Sequence, residues 1–148
     1  MTHEEQQALF DTILRRANLP GSFNVENGIR LTSLSDGGAE GEVRLTAGHL
    51  NPLGIVHGGV YYTLMDQLAG MATAATGRGG VTLDANVSYL KSARAGETVR
   101  CKLEAVHIGK SVAVYEAKCF GEDGALQATG TFHLFFLKPV ETMTGVAE

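Results

Sequence analysis

The sequence predicts an α+β domain in which an antiparallel β-sheet wraps around one central buried helix. Three observations predict it. From Gly58 to Gly77, the residues Val60, Leu64, Met65, Leu68, Met71, Ala72 and Ala75 cover nearly the whole circumference of a helix, so that helix is expected to be buried on all sides. Four strand-like segments follow it, at about 80–91, 97–108, 111–120 and 125–137. A hairpin pattern precedes it between Gly28 and Thr46. One apolar helix inside a run of antiparallel strands is accommodated by a sheet curled around it.

The elements follow in order. Thr2 and Glu5 have the spacing of a capping box, and Leu9, Phe10, Ile13, Leu14 and Ala17 form an apolar stripe at helical spacing, which predicts an amphipathic N-terminal helix over about 3–17. Arg15 and Arg16 suit its C-terminal end, and Asn18, Pro20 and Gly21 stop it. Gly37-Gly38 divides the hairpin, whose second strand alternates Ala39, Gly41, Val43 and Leu45 with Glu40, Glu42 and Arg44, a pattern with one wet face. After the central helix, strict alternation puts Val81, Leu83, Ala85, Val87 and Tyr89 on one face and Thr82, Asp84, Asn86 and Ser88 on the other. Gly109-Lys110 sits between two strands, where Gly in first place suits a two-residue type II′ turn. From about 139 to 148, PVETMTGVAE reads as a loose tail.

All 148 residues are expected to form one domain, with globular apolar and charged fractions of 44% and 19%. The central run holds Asp66, Gln67, three Thr and several Gly, which excludes a membrane span. Sixteen acidic and twelve basic residues give a net charge of −4, with no cluster of Lys and Arg, so neither nucleic acid nor a membrane is an expected partner. The start MTHEEQQALF lacks the basic-then-apolar pattern of a secretory signal, and a cytoplasmic protein is expected. Cys101 and Cys119 are too few for a disulfide framework and are expected to be free, buried thiols. His3, His49, His107 and His133 have no metal-ligand spacing, so no metal is expected.

Asn51 to Gly59 reads NPLGIVHGG and leads directly into the apolar helix, whose only charged residue is Asp66. Gly58 and Gly59 open that helix, where free N–H groups and the positive end of the dipole point outward and missing side chains allow close approach. A carbonyl oxygen gaining negative charge would be stabilised there; the alternative is that the glycines only permit a tight turn. Asp66 is costly on such a helix unless it is paired, hydrogen-bonded or used. It is either a functional carboxylate or a structural Asp satisfied by backbone or a neighbouring Arg.

This stretch resembles the hotdog thioesterases of the phenylacetic-acid-degradation (PaaI) type. These have an Asn-Pro-x-Gly-x-x-His-Gly-Gly loop and an acid seven residues after the second Gly, as in Gly59 to Asp66 here. The similarity continues through VTLDANVSYL, ARAGE and a Gly-basic turn, roughly residues 45–137. It implies a hotdog fold and hydrolysis of an aryl- or fatty-acyl-coenzyme A thioester to free acid and coenzyme A. No cofactor is implied, coenzyme A being part of the substrate. By the same resemblance Asp66 is the catalytic carboxylate, as general base or as a nucleophile forming a mixed anhydride. Gly58 N–H polarises the carbonyl, His57 and Asn51 help hold the loop and the substrate carbonyl, and the Thr82 hydroxyl orients the attacking water. Without the resemblance His57 reads as a structural hydrogen-bond partner and Thr82 as a cross-strand Thr.

Gly59, Tyr89, Gly109, Lys110 and Ser111 match segments that contact coenzyme A in relatives, although a charged hairpin tip is ordinarily just solvated. Two departures stand out: Lys110 replaces a frequent Arg and lacks its bidentate geometry, and Ser92 stands where relatives often have Pro. Rival readings are a hotdog enoyl-coenzyme A hydratase, which uses a different His and acid arrangement, and a non-catalytic acyl-coenzyme A sensor, for which no DNA-reading module is evident. Finally, Gly58 and Asp66 are eight residues apart on one helix, about 12 Å along the axis. An Asp side chain cannot span that gap, so the sequence predicts a homodimer with shared active sites; the family resemblance points the same way and implies dimers pairing further into a tetramer.

Overall fold

The structure, a computed structural model, describes residues 1–139. Helix α1, His3–Ala17, begins with the expected capping box: Thr2 Oγ1 accepts from Glu5 N–H and the Glu5 carboxylate accepts from Thr2 N–H. Its buried residues are Phe10, Ile13 and Ala17, the inner line of the predicted stripe. Asn18 ends it and doubles as an anchor, its amide exchanging two hydrogen bonds with the backbone of Leu31 at 2.8 and 2.9 Å. A one-turn helix α2, Phe23–Glu26, which the sequence pattern did not reveal, then delivers the chain to the sheet.

Strands β1 (Ile29–Ser35) and β2 (Gly38–Arg44) form the expected hairpin. The turn residue with positive φ is Gly37, at +76°, and Gly38 already belongs to β2. The remaining strands are β3 (Arg78–Tyr89), β4 (Thr98–Ile108), β5 (Val112–Phe120) and β6 (Leu126–Pro139). They complete one antiparallel six-stranded sheet of order β1-β2-β4-β5-β6-β3. The backbone of β6 reaches Pro139, so the rest of the expected tail lies outside the described residues. Helix α3, Gly58–Ala74, packs against the concave side of this sheet, touching every strand. The arrangement is a hotdog fold.

Leu64, Met65, Leu68 and Ala69 of α3 are fully buried beside Leu103, Tyr115, Phe132 and Leu134 from the sheet. Cys101 and Cys119 face each other across β4 and β5 as free, buried thiols. Their mutual hydrogen bond and burial push the Cys101 thiol well above its ordinary range.

Three expectations need correction. First, α3 is not buried on all sides of a single chain. Gly59, Thr63, Asp66, Gln67 and Gly70 are only half-buried and Tyr62 is 38% exposed. These residues recur at helical spacing on one face, which the sheet of one chain does not reach. Second, β3 does not alternate strictly. Thr82 pairs with Leu134 and Asp84 with His133, leaving Leu83 as the extra residue of a bulge. Thr82 therefore shares the inward face of Leu134, together with Ala85 and Val87, while Val81 turns outward with Phe135. Third, the β4–β5 turn spans Gly109, Lys110 and Ser111 rather than two residues, and Gly109 lacks the positive φ of a type II′ turn. A Cβ there would lie 2.7 Å from Nε2 of the exposed His107 and 3.1 Å from Val112 O, so a larger residue would make the His107 ring move aside.

Candidate active site

The loop before α3 is built by its own side chains. Asn51 Oδ1 accepts from the N–H of Leu53 at 2.9 Å and of Ile55 at 3.4 Å, while Asn51 N–H donates to Ile55 O at 2.8 Å. Asn51 thus bonds to its own loop, folding it back on itself. His57 is the N-cap of α3, its Nδ1 accepting from Gly59 N–H at 2.8 Å. That acceptor role requires the proton on Nε2 when the ring is neutral. A side chain at Gly59 would meet His57 Nδ1 at 2.9 Å, so the cap requires glycine there. The N–H of Gly58 finds no acceptor among the described residues.

Beneath this loop lies a residue whose role the sequence did not disclose. His49 Nε2 donates to Asn27 O at 2.7 Å, which leaves Nδ1 to accept from Thr46 N–H at 2.9 Å. The backbone carbonyl of His49 accepts from His57 N–H at 2.8 Å. Its only local signal is the Thr-x-x-His spacing of a tight turn; the Asn27 contact is long-range. A cavity of about 270 Å³ runs beside the helix start, bordered by Ile29, His49, Leu50, His57, Gly59 and Val60.

Tyr89, at the end of β3, lies over the first turn of α3. A Cβ at Gly58 would sit 3.1 Å from its ring, so Gly58 permits this approach. Tyr61 stacks obliquely against the same ring, with centroids 6.1 Å apart. Tyr61 is held in turn by its hydroxyl, which donates to the buried Gln127 side chain at 2.7 Å. Burial pushes the Tyr61 phenol up to about 12, assisted by Cys119 and Glu97.

Asp66 lies two turns further along the open face. Thr82 Oγ1 donates to its Oδ1 at 2.7 Å, a contact made possible by the bulge at Leu83, which keeps Thr82 facing inward. Among the described residues Thr82 is the only partner of this carboxylate. The alternative that an Arg neutralises it is not met.

Within one chain, then, the structure brings Asp66 to Thr82, and Gly58 to His57, Gly59, Tyr89 and, through the loop, Asn51. It does not bring the two groups together: α3 is continuous from Gly58 to Ala74, so the 12 Å rise between Gly58 and Asp66 stands at about that value. Gly109, Lys110 and Ser111 lie at the far end of α3, next to the beginning of β3. Arg78, absent from the sequence-based candidates, holds this tip, donating to Gly109 O at 3.4 Å and Lys110 O at 2.5 Å.

The thioesterase superfamily model matches residues 53–128, just over half of the chain. Human acyl-coenzyme A thioesterase 13 is 34% identical over 87 residues, 57% of this chain and 62% of its own. The match therefore spans less than two thirds of that relative. A hypothetical thioesterase of Streptococcus pneumoniae TIGR4, solved with coenzyme A, gives a TM-score of 0.72 at 28% identity, covering 75% of this chain and 90% of its own. That protein has also been solved with an Asp and with a Thr replaced by Ala, sixteen positions apart, and Asp66 and Thr82 are separated by the same sixteen. The PaaI protein of Escherichia coli gives a TM-score of 0.80 at 22% identity, covering 88% of this chain and 97% of its own, a likeness of fold alone. The family model spans the end of the loop, the helix with its carboxylate and strands β3, β4 and β5, and this chain belongs to the thioesterase superfamily.

Proposed function

We propose that this chain hydrolyses acyl-coenzyme A thioesters to free acid and coenzyme A, in sites shared between two copies of the chain. The observation that carries the reading is the half-buried Asp66 on the open face of α3, with one oxygen held by Thr82 and the other without a partner among the described residues. A carboxylate oriented through Oδ1 presents Oδ2 for chemistry. As general base it takes a proton from water while the water oxygen attacks the thioester carbon. As nucleophile it attacks that carbon itself, giving a mixed anhydride that water then cleaves. In either case the C–S bond breaks and the departing thiolate is protonated to coenzyme A. Thr82 orients the carboxylate, and its hydroxyl oxygen is still able to accept from the attacking water.

The carbonyl oxygen gains charge in this step and is placed at Gly58 N–H. His57 keeps the neighbouring Gly59 N–H occupied and Asn51 keeps the loop folded, so both act as positioning residues. Since one chain separates Gly58 from Asp66, the missing half comes from a two-fold mate whose Asp66 faces this Gly58. The free edge of β3, with Leu83 56% exposed, and the open face of α3 are the surfaces such a mate would cover. Dimers pairing into a tetramer, coenzyme A contacts at Gly59, Tyr89, Gly109, Lys110 and Ser111, and a reaction in the cytoplasm without added cofactor belong to the same reading.

The test is thiol release across aryl- and straight-chain acyl-coenzyme A substrates, with two inactive variants. Asp66→Asn removes proton transfer and attack and is expected to lose about 10²- to 10⁴-fold. Gly58→Val, whose Cβ presses on the Tyr89 ring, is expected to lose about 10²- to 10³-fold through the displaced donor. Mixed and allowed to exchange, the two should restore up to about a quarter of wild-type activity, because half the dimers are mixed and each carries one intact site. Mixtures shown by mass spectrometry to exchange, yet no more active than either parent, would refute the shared site. Absence of thiol release by the wild type on every substrate would refute the activity.

A further inference from the structure

Arg78 occupies an unusual position for a cation. It is the first residue of β3, half-buried, with its guanidinium 3.5 Å from the centroid of the Phe136 ring. From that platform it donates to two consecutive carbonyls of the β4–β5 tip, Gly109 O and Lys110 O. The third tip residue is fixed to the same support, since Ser111 O accepts from Phe136 N–H at 2.9 Å. Phe136 and Arg78 together thus restrain every carbonyl of the turn. While the carbonyls of the tip are held, the side chains of Lys110 and Ser111 are exposed. Neither Arg78 nor Lys110 has a carboxylate partner among the described residues, so the tip keeps two uncompensated positive charges on a rigid frame. A planar guanidinium stacked on a ring and bonded to two oxygens is a task for Arg and not for Lys.

We infer that Arg78 is the positioning residue of this tip, holding it in the form that binds the phosphates of the coenzyme A nucleotide. The inference rests on the proposed function for the identity of the ligand. It assigns Arg78 to the nucleotide end of the substrate and gives it no part in cleaving the thioester.

Calorimetry with coenzyme A, and kinetics with one acyl-coenzyme A and the matching S-acyl pantetheine, which lacks the nucleotide, test it. Arg78→Ala is expected to weaken coenzyme A binding about tenfold and to raise KM for the acyl-coenzyme A to match, with kcat within about twofold. KM for the pantetheine substrate should barely move. Arg78→Lys, able to reach a carbonyl but not to stack, should fall between the two, and it decides the matter if Arg78→Ala does not fold. A folded variant that binds coenzyme A as tightly as wild type, or that loses both substrates equally, overturns the inference; so does a wild type that does not bind coenzyme A. The proposed function has a different failure, the absence of hydrolysis, which leaves the comparison of coenzyme A affinities intact.

Discussion

The two sides of α3 follow opposite rules. On one side Leu64, Met65, Leu68 and Ala72 are sealed against the sheet, and Gly41 of β2 has no side chain because a Cβ there would stand 2.9 Å from Leu68 Cδ2. On the other, Gly59, Tyr62, Thr63, Asp66, Gln67 and Gly70 are left half-covered or open, and the only polar partner supplied to the carboxylate in their midst by the described residues is Thr82. The sealed side makes the helix part of a folded chain. The open side mixes polar and small residues with Tyr62, and it holds the carboxylate to which the proposed function assigns the chemistry. Fold and function are thus divided by half a turn of one helix, and changes on the two sides should be read by different instruments.

The largest expected effect breaks the sealed side. Leu68→Ala should cost about 2–5 kcal/mol of stability in denaturant titration, whereas Gln67→Ala, its neighbour on the open side, should change monomer stability by no more than about 0.5 kcal/mol and should act instead on association measured by sedimentation. Equal losses of stability would erase the distinction. Next in size is Thr82→Val, which leaves the fold intact but deprives Asp66 Oδ1 of its donor. A fall in kcat of about tenfold or more is expected, with Thr82→Ser retaining most of the activity; a Val variant with normal kcat would make Thr82 a bystander. The smallest effect concerns pH. Tyr61 titrates at about 12 in the folded chain, above the ordinary value of about 10. The stability it contributes is complete below pH 10 and is lost as pH rises through 12. Tyr61→Phe should be less stable at neutral pH, having left Gln127 without its donor, yet its melting temperature should fall less between pH 10 and 12. An unchanged slope would detach Tyr61 from alkaline unfolding.

How much of this was legible in the sequence depends on how local each cause is. Helix α1 was, because Thr2 and Glu5 cap it within one turn and its stripe from Leu9 to Ala17 repeats over more than two. The hairpin of β1 and β2 was, since Gly37 and the alternation of β2 lie within a few residues of each other. Asp66 stood out as a charge in an apolar run, and the loop before it carried the family resemblance. The open face of α3 was only half-legible: Thr63, Asp66 and Gln67 mark it, but counting apolar residues around the helix hid them. Illegible were the contacts between distant segments. Nothing near His49 announces Asn27, nothing near Arg78 announces the β4–β5 tip, and Gln127 in a strand gives no sign that Tyr61 is its partner.

The bulge at Leu83 makes β3 a strand with two phases, Thr82 and Ala85 looking inward although an odd number of steps separates them. Its single supernumerary residue acts as a switch of parity. Deleting Leu83 would restore uniform alternation and leave Thr82, Ala85, Val87 and Tyr89 all on the inner face, because Asp84 would follow Thr82 directly as its partner His133 precedes Leu134. An alignment with a strand that lacks the extra residue needs a gap between Thr82 and Asp84; without it, side chains pointing to opposite sides of the sheet would be compared.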